Sequence, residues 1–81
     1  MPTVLRIGRF RFFFYSNENN EPAHIHVKVA ENEAKFWLNP VRLAFGQGFR
    51  SHELYEIERL VVENQAVLLE AWNGYFSGEQ F

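Results

Sequence analysis

Two histidines separated by one residue are the side chains in this sequence most suited to chemistry. His24 and His26 lie in a segment, residues 24–29, where polar and apolar residues alternate, and this alternation predicts a β-strand. Because successive side chains of a strand point to opposite faces, both imidazoles should project from the same face. Such a pair could transfer protons, bind a metal ion, or form an inert surface pair, which is the simplest interpretation.

A metal site would need a third ligand beside this pair. The chain contains no cysteine, which excludes thiolate ligands, disulfides and cysteine nucleophiles. His52, Glu21 and other carboxylates are the alternatives, but none has a spacing that requires ligation. We therefore expect no metal and no other cofactor. If the site is catalytic, His24, His26 and Tyr15 are the candidates for proton transfer.

The elements that must position these residues are four predicted strands. They cover residues 3–7, 10–15, 24–29 and 34–38, and the turn residues between them favour an antiparallel meander. Asn39-Pro40 ends the fourth strand because proline cannot donate to the ladder. Residues 41–49 stay unassigned, since Gly46 and Gly48 interrupt any short strand there.

A helix follows, because apolar residues recur at steps of three and four from Leu54 to Tyr75. Asn64 is the one polar residue on this stripe, so we expect a single long helix, with a kink or break at Asn64 as the alternative. Ser77-Gly78 should end it. The predicted fold is α+β: a four-stranded, possibly five-stranded, antiparallel sheet with one face covered by this helix or kinked helix pair. One domain should span residues 1–76, with a flexible tail at 77–81.

Alternation sorts the strand residues into two faces. One set is apolar and should form the core with the helix: Leu5, Ile7, Phe12, Phe14, Ile25, Val27, Val29, Phe36 and Leu38. The other set, which we call the cationic aromatic face, contains Arg6, Arg11, Phe13, Tyr15, His24, His26, Lys28, Lys35 and Trp37. Acidic residues of this half are predicted to lie in loops. An ordinary solvated face is one interpretation, and a contact surface is the other, because large rings are seldom left in water.

Composition restricts the class of protein. Eighty-one residues allow one core, and the net charge of −2 argues against a strongly basic nucleic-acid binder. Residues 1–45 nevertheless carry +2 and residues 46–81 carry −4, so the two halves differ in polarity. No signal peptide or membrane segment is evident, which predicts a cytoplasmic protein that does not contact a membrane. A domain this small could gain stability as a homodimer.

Several segments together resemble a known prokaryotic family. They are residues 10–15 followed by EPAHIHV at 21–27, AKFWL at 34–38, and LLEAW at 68–72, in the same order along the chain. The sequence resembles the family known as domain of unknown function 4160, although Ala23 stands where that family commonly has proline.

The resemblance implies a partner rather than a reaction. Members are often encoded beside a second small protein, and such pairs are suspected toxin–antitoxin modules. We therefore expect one subunit of a toxin–antitoxin-like pair that contacts RNA or its partner protein through Arg6, Arg11, Phe13, Lys28, Lys35 and Trp37. If the subunit is an enzyme, a metal-independent ribonuclease is the leading hypothesis. The alternatives are a non-catalytic, antitoxin-like binding module and a small metal-dependent enzyme that uses His24 and His26.

Overall fold

Five antiparallel strands and two helices make up the computed structural model, which describes residues 3–15 and 20–78. The elements are β1 (Thr3–Ile7), β2 (Phe10–Phe13), β3 (His24–Val29), β4 (Asn32–Leu38), β5 (Val41–Gln47), α1 (Ser51–Glu63) and α2 (Gln65–Gly78). The strands lie in sequence order, β1-β2-β3-β4-β5, and every neighbouring pair is antiparallel. The predicted α+β meander is confirmed. Residues 16–19 and most of the predicted tail, residues 79–81, lie outside the described residues.

The segment without a predicted structure forms the edge strand β5. Glycine at position 46 lets β5 pack closely against α1, because a Cβ there would lie only 2.8 Å from Cδ2 of Leu54. Gly48 then ends the strand with a φ of 88°, a conformation that favours glycine. An irregularity in the β4–β5 register pairs Leu43 with Phe36 and Phe45 with Lys35, so Leu43 and Phe45 face opposite sides of the sheet.

The expectation of one long helix is wrong, because the helix breaks at Asn64. Its side-chain Nδ2 donates to the Leu60 carbonyl oxygen at 2.8 Å, which gives the end of α1 a local hydrogen bond. Gln65 Nε2 donates to the Leu38 carbonyl oxygen at 2.5 Å and ties the start of α2 to the end of β4. The break lets α1 pack on β4 and β5 while α2 packs on β3 and β4.

The core lies between the helices and one sheet face, as the alternation predicts. Its fully buried strand residues are Phe12, Ile25, Val27, Ala34, Phe36 and Leu38, and its fully buried helix residues are Ile57, Val61 and Leu68. Burial of each large apolar side chain contributes about 1.5–3 kcal/mol to folding. Within residues 3–15 and 20–78, neither helix is long and apolar enough to cross a membrane.

Candidate nucleic-acid interface

The face opposite the core gathers the predicted site residues into three rows that cross the strands. One row is Arg6, Arg11, Lys28 and Glu33; the next is Phe13, His26, Lys35 and Phe45; the third is His24, Trp37 and Arg42. The prediction that both histidines share this face is confirmed, because their ring centroids lie 5.2 Å apart. Sequence reasoning missed Glu33, Arg42 and Phe45, which we add to the cationic aromatic face.

Both histidines are buried, which overturns their interpretation as an exposed surface pair. His24 is 0% exposed and His26 is 3% exposed. The His26 ring stacks on Phe13 with centroids 5.5 Å apart and meets the edge of Tyr15 at 4.6 Å. Trp72 of α2 lies 4.7 Å from the His24 ring. A catalytic imidazole must come within hydrogen-bond distance of its substrate, and here both rings are covered by other side chains.

Polar partners hold these buried rings in place. His24 Nδ1 donates to the Pro22 carbonyl oxygen at 2.9 Å, and because a carbonyl only accepts, Nδ1 carries a proton. His26 Nδ1 lies 3.1 Å from Glu33 Oε2. The Tyr15 hydroxyl, the third predicted catalytic group, donates to the same carboxylate at 3.1 Å. His26 and Tyr15 therefore make structural contacts with one acidic side chain, whereas His24 contacts the Pro22 carbonyl oxygen.

Glu33 corrects the expectation that the acidic residues of this half lie in loops. The strand β4 begins at Asn32, two residues earlier than predicted, and so Glu33 belongs to it. Counting back two residues from Lys35 by alternation would have placed Glu33 on the same face. The face therefore contains a carboxylate near its centre as well as cations.

Two of the predicted binding residues are already engaged within the molecule. Lys35 Nζ lies 2.6 Å from Glu21 Oε1 and 4.5 Å from the centre of the Trp37 ring, and its side chain is only 12% exposed. Phe13 is fully buried beneath the Arg11 guanidinium, which lies 4.7 Å from its ring centre. Lys35 and Phe13 therefore make contacts within the molecule, and their side chains are not accessible for binding a ligand.

Three cations remain in the first row: Arg6, Arg11 and Lys28. Among the described residues, no carboxylate lies within ion-pair distance of any of them, although Arg11 Nε donates to Thr3 Oγ1 at 3.0 Å. Arg11 stands directly opposite Arg6 on one side and Lys28 on the other. Like charges directly opposite each other across strands destabilise a sheet. Glu33 stands opposite Lys28 at the far end of the row, so the positive potential that an anion would stabilise is greatest around Arg6 and Arg11, with Lys28 beside them.

Two accessible rings lie on the same face, on strands β4 and β5. Phe45 is 43% exposed, and Trp37 is partly exposed opposite the exposed Arg42 of β5. Exposed rings next to cations can stack with nucleic-acid bases or anchor a protein partner.

The described parts of the chain, residues 3–15 and 20–78, bring together no group of three or more histidines and carboxylates that could hold a metal ion. His52, one suggested third ligand, is exposed in the first turn of α1. Glu21, the other, contacts Lys35 at 2.6 Å and lies 3.7 Å from His24 Nδ1. Their placement gives no support to the metal-dependent alternative.

Comparison with protein families matches residues 10–73 to one family, described as Domain of unknown function (DUF4160). The chain belongs to this family. The matched residues run from the start of β2 well into α2, so the DUF4160 domain includes the whole cationic aromatic face except Arg6 of β1. Comparisons with curated proteins and with solved structures gave no match.

Proposed function

We propose that this DUF4160 chain is a non-catalytic subunit of a toxin–antitoxin-like pair that binds single-stranded RNA through its cationic aromatic face. The observation that supports this most directly is the row of Arg6, Arg11 and Lys28, which crosses three adjacent strands without a carboxylate partner among the described residues. Neighbouring strands lie about 4.8 Å apart, so a phosphate backbone running across the strands could contact these cations in turn.

The distribution of charge makes RNA binding compatible with an acidic chain. Five of the eight basic side chains lie on the cationic aromatic face: Arg6, Arg11, Lys28, Lys35 and Arg42. The acidic residues of α1, which include Glu56 and Glu58, lie on a different element. Because charges are screened over about 10 Å, a ligand at the sheet responds mainly to the local cations.

Exposed rings favour a single strand over a duplex. Stacking of a base on an aromatic side chain contributes about 1–3 kcal/mol, and only unpaired bases present their flat surfaces for it. Phe45 and Trp37 supply such surfaces on the same face as the cation row. We propose binding without catalysis because the two imidazoles that would move protons are buried beneath Tyr15, Phe13 and Trp72.

A salt titration tests the RNA-binding proposal. Binding of a labelled single-stranded RNA of about 12 nucleotides would be followed by fluorescence anisotropy between about 50 and 200 mM salt. If three phosphates are neutralised, the logarithm of the association constant should fall against the logarithm of salt with a slope of about −2. Removal of one cation, by Arg11→Ala or Lys28→Ala, should weaken binding and make the slope shallower by about 0.7.

Arg59→Ala is the matched control, because Arg59 is an exposed cation of α1 that pairs with Glu63 at 3.6 Å. It should leave RNA binding unchanged. The absence of RNA binding at low salt, or equal losses from Arg59→Ala and Lys28→Ala, would overturn the proposal. A protein partner seated on the same face would instead show weak salt dependence and sensitivity to Trp37→Ala.

The membership in a pair requires a separate experiment, since it follows from what the family resemblance implies. The chain would be expressed alone and together with the small protein of the neighbouring gene, while growth and bulk RNA integrity are measured. We expect growth to depend on whether one or both are present, without degradation of bulk RNA by this chain. Unchanged growth in every combination would contradict the pair.

A further inference from the structure

An apolar groove on α1 lies away from the cationic aromatic face and is not used by the proposed RNA site. Tyr55 and Val62 of α1 are 69% and 54% exposed, and Leu43 of β5 is 46% exposed. They stand apart from the buried stripe of the same helix, formed by Ile57 and Val61. A helix with apolar residues on a second, exposed side is typical of one that binds another protein.

These residues line two adjoining depressions. The first, about 270 Å³ in volume, is lined by Tyr55, Glu58, Arg59, Val62 and Glu63. The second, about 250 Å³, is lined by Phe36, Leu43, Ser51, Leu54, Tyr55 and Glu58. Because both include Tyr55 and Glu58, they form one groove along α1. From Ser51 to Val62 the helix rises about 16 Å, which is three turns of a helix bound alongside it.

The charges around the groove are mainly acidic. Glu58 lines both depressions, and Glu63 lines one of them with its carboxylate 3.6 Å from Arg59. In the part of the chain that the structure describes, no basic side chain lies within ion-pair distance of Glu58. A second copy presenting the same groove would bring like charges together, so a basic partner is favoured.

We propose that this groove binds an amphipathic helix of a partner protein, in which lysine or arginine residues flank the apolar stripe. The apolar stripe would cover Tyr55, Val62 and Leu43, while the flanking cations would lie against Glu58. This inference deepens the proposed function, because it rests on the existence of a pair and names the surface that the second subunit contacts. RNA and the partner would then bind different faces of this chain.

The first test uses designed peptides as probes. A labelled helical peptide of about 14 residues, with leucines spaced i, i+3, i+4 and i+7 and flanking arginines, would be titrated by anisotropy. The same peptide with glutamates in place of the arginines is the control. The basic peptide should bind at least about tenfold more tightly, and Val62→Asp or Glu58→Lys should weaken it about tenfold or more. Val67→Asp should have no effect, because Val67 is equally exposed on α2 but does not line the groove.

The second test uses the product of the neighbouring gene in co-purification with the full chain. Val62→Asp should abolish association, and Val67→Asp should retain it. Failure of the basic peptide to bind, equal binding of both peptides, or retention of the neighbour by Val62→Asp would overturn the inference. A dimer of this chain that Val62→Asp dissociates would also overturn it, in favour of a second copy. RNA binding measured on the same variants separates the proposals, because it should not change with Val62→Asp.

Discussion

His26 Nδ1 lies 3.1 Å from Glu33 Oε2, a contact between neighbouring strands at the centre of the cationic aromatic face. The Tyr15 hydroxyl donates to the same oxygen at 3.1 Å, and the Tyr15 ring covers the imidazole. The Glu33 carboxylate of β4 thus contacts both a residue that follows β2 and a residue of β3. The 3.1 Å separation places the Glu33 carboxylate beside the buried imidazole, although its geometry is not that of a hydrogen bond to Nδ1.

We predict that Tyr15→Phe lowers the free energy of unfolding by about 1–2 kcal/mol, because it removes a hydrogen bond to a charged, partly buried carboxylate. Denaturant unfolding would measure the change. In a Glu33→Gln background the same substitution should cost less, since the two residues interact directly. Tyr55→Phe is the control, because Tyr55 is 69% exposed, and it should change stability by less than about 0.5 kcal/mol. Equal effects of Tyr15→Phe and Tyr55→Phe would contradict the prediction.

Local sequence pattern was sufficient for most of the fold. The strands β1 and β3 have the predicted bounds, and alternation assigned Ile25 and Val27 to the core with both histidines opposite. A fifth strand was predicted only as a possibility and residues 41–49 were not assigned to it, because the need for glycine there depends on contacts with another element. Gly46 makes room for Leu54, eight residues later in α1. The break at Asn64 was predicted only as the alternative to one long helix, and it too involves a contact distant in sequence, the hydrogen bond from Gln65 to the Leu38 carbonyl oxygen.

The character of the site was harder to predict than its location. Alternation gives the face of a side chain but not what lies above it, so the burial of His24 under Trp72 of α2 depends on tertiary packing. Lys35 illustrates the same limit. Its position on the face was predicted, but its ion pair with Glu21 joins residues fourteen apart and depends on the course of the loop before β3.

Two glycine substitutions should have opposite effects on stability. An alanine at Gly48 would be strained by a φ of 88°, and its Cβ would overlap Asn32 Oδ1, so we expect a loss of about 2 kcal/mol or more. Gly74→Ala should instead stabilise by up to about 1 kcal/mol, because Gly74 lies within α2 and nothing is within 4 Å of its added Cβ. Thermal unfolding of both variants tests this. A Gly48→Ala variant as stable as the wild type would show that the end of β5 does not require a positive φ at residue 48.

The start of α1 should make stability depend on pH. The Arg50 backbone N–H donates to Glu53 Oε1 at 2.8 Å, and this bond, together with the nearby Arg9, lowers the pKa of Glu53 below its ordinary value of 4.5. A carboxyl group with a lowered pKa in the folded state stabilises the fold above its unfolded pKa and loses this effect as pH falls through the folded pKa.

Unfolding free energies of the wild type and Glu53→Gln, measured from pH 7 to pH 3, should therefore differ most near neutrality. The difference should shrink below about pH 4.5. Glu56→Gln is the control for the loss of one exposed carboxylate from the same helix. A constant difference between wild type and Glu53→Gln across this range would contradict the role given to Glu53.

The two lysines of the cationic aromatic face should separate stability from ligand binding. Lys35 is held by Glu21 and the Trp37 ring, so Lys35→Met should lower the unfolding free energy by about 1 kcal/mol, because a partly desolvated ion pair and a cation–π contact are lost.

Lys28 is partly exposed in the row with Arg11. Lys28→Met should leave stability within about 0.5 kcal/mol of the wild type, because the repulsion that it relieves toward Arg11 offsets the attraction that it loses toward Glu33. Under the proposed function the order of the two effects reverses for RNA binding. Lys28→Met should weaken binding severalfold and make the salt slope shallower, while Lys35→Met should change both much less. Denaturant unfolding and anisotropy on the same two preparations give all four values. If Lys35→Met weakens RNA binding as much as Lys28→Met without loss of stability, Lys35 leaves Glu21 to bind the ligand, and its assignment as a supporting residue is wrong.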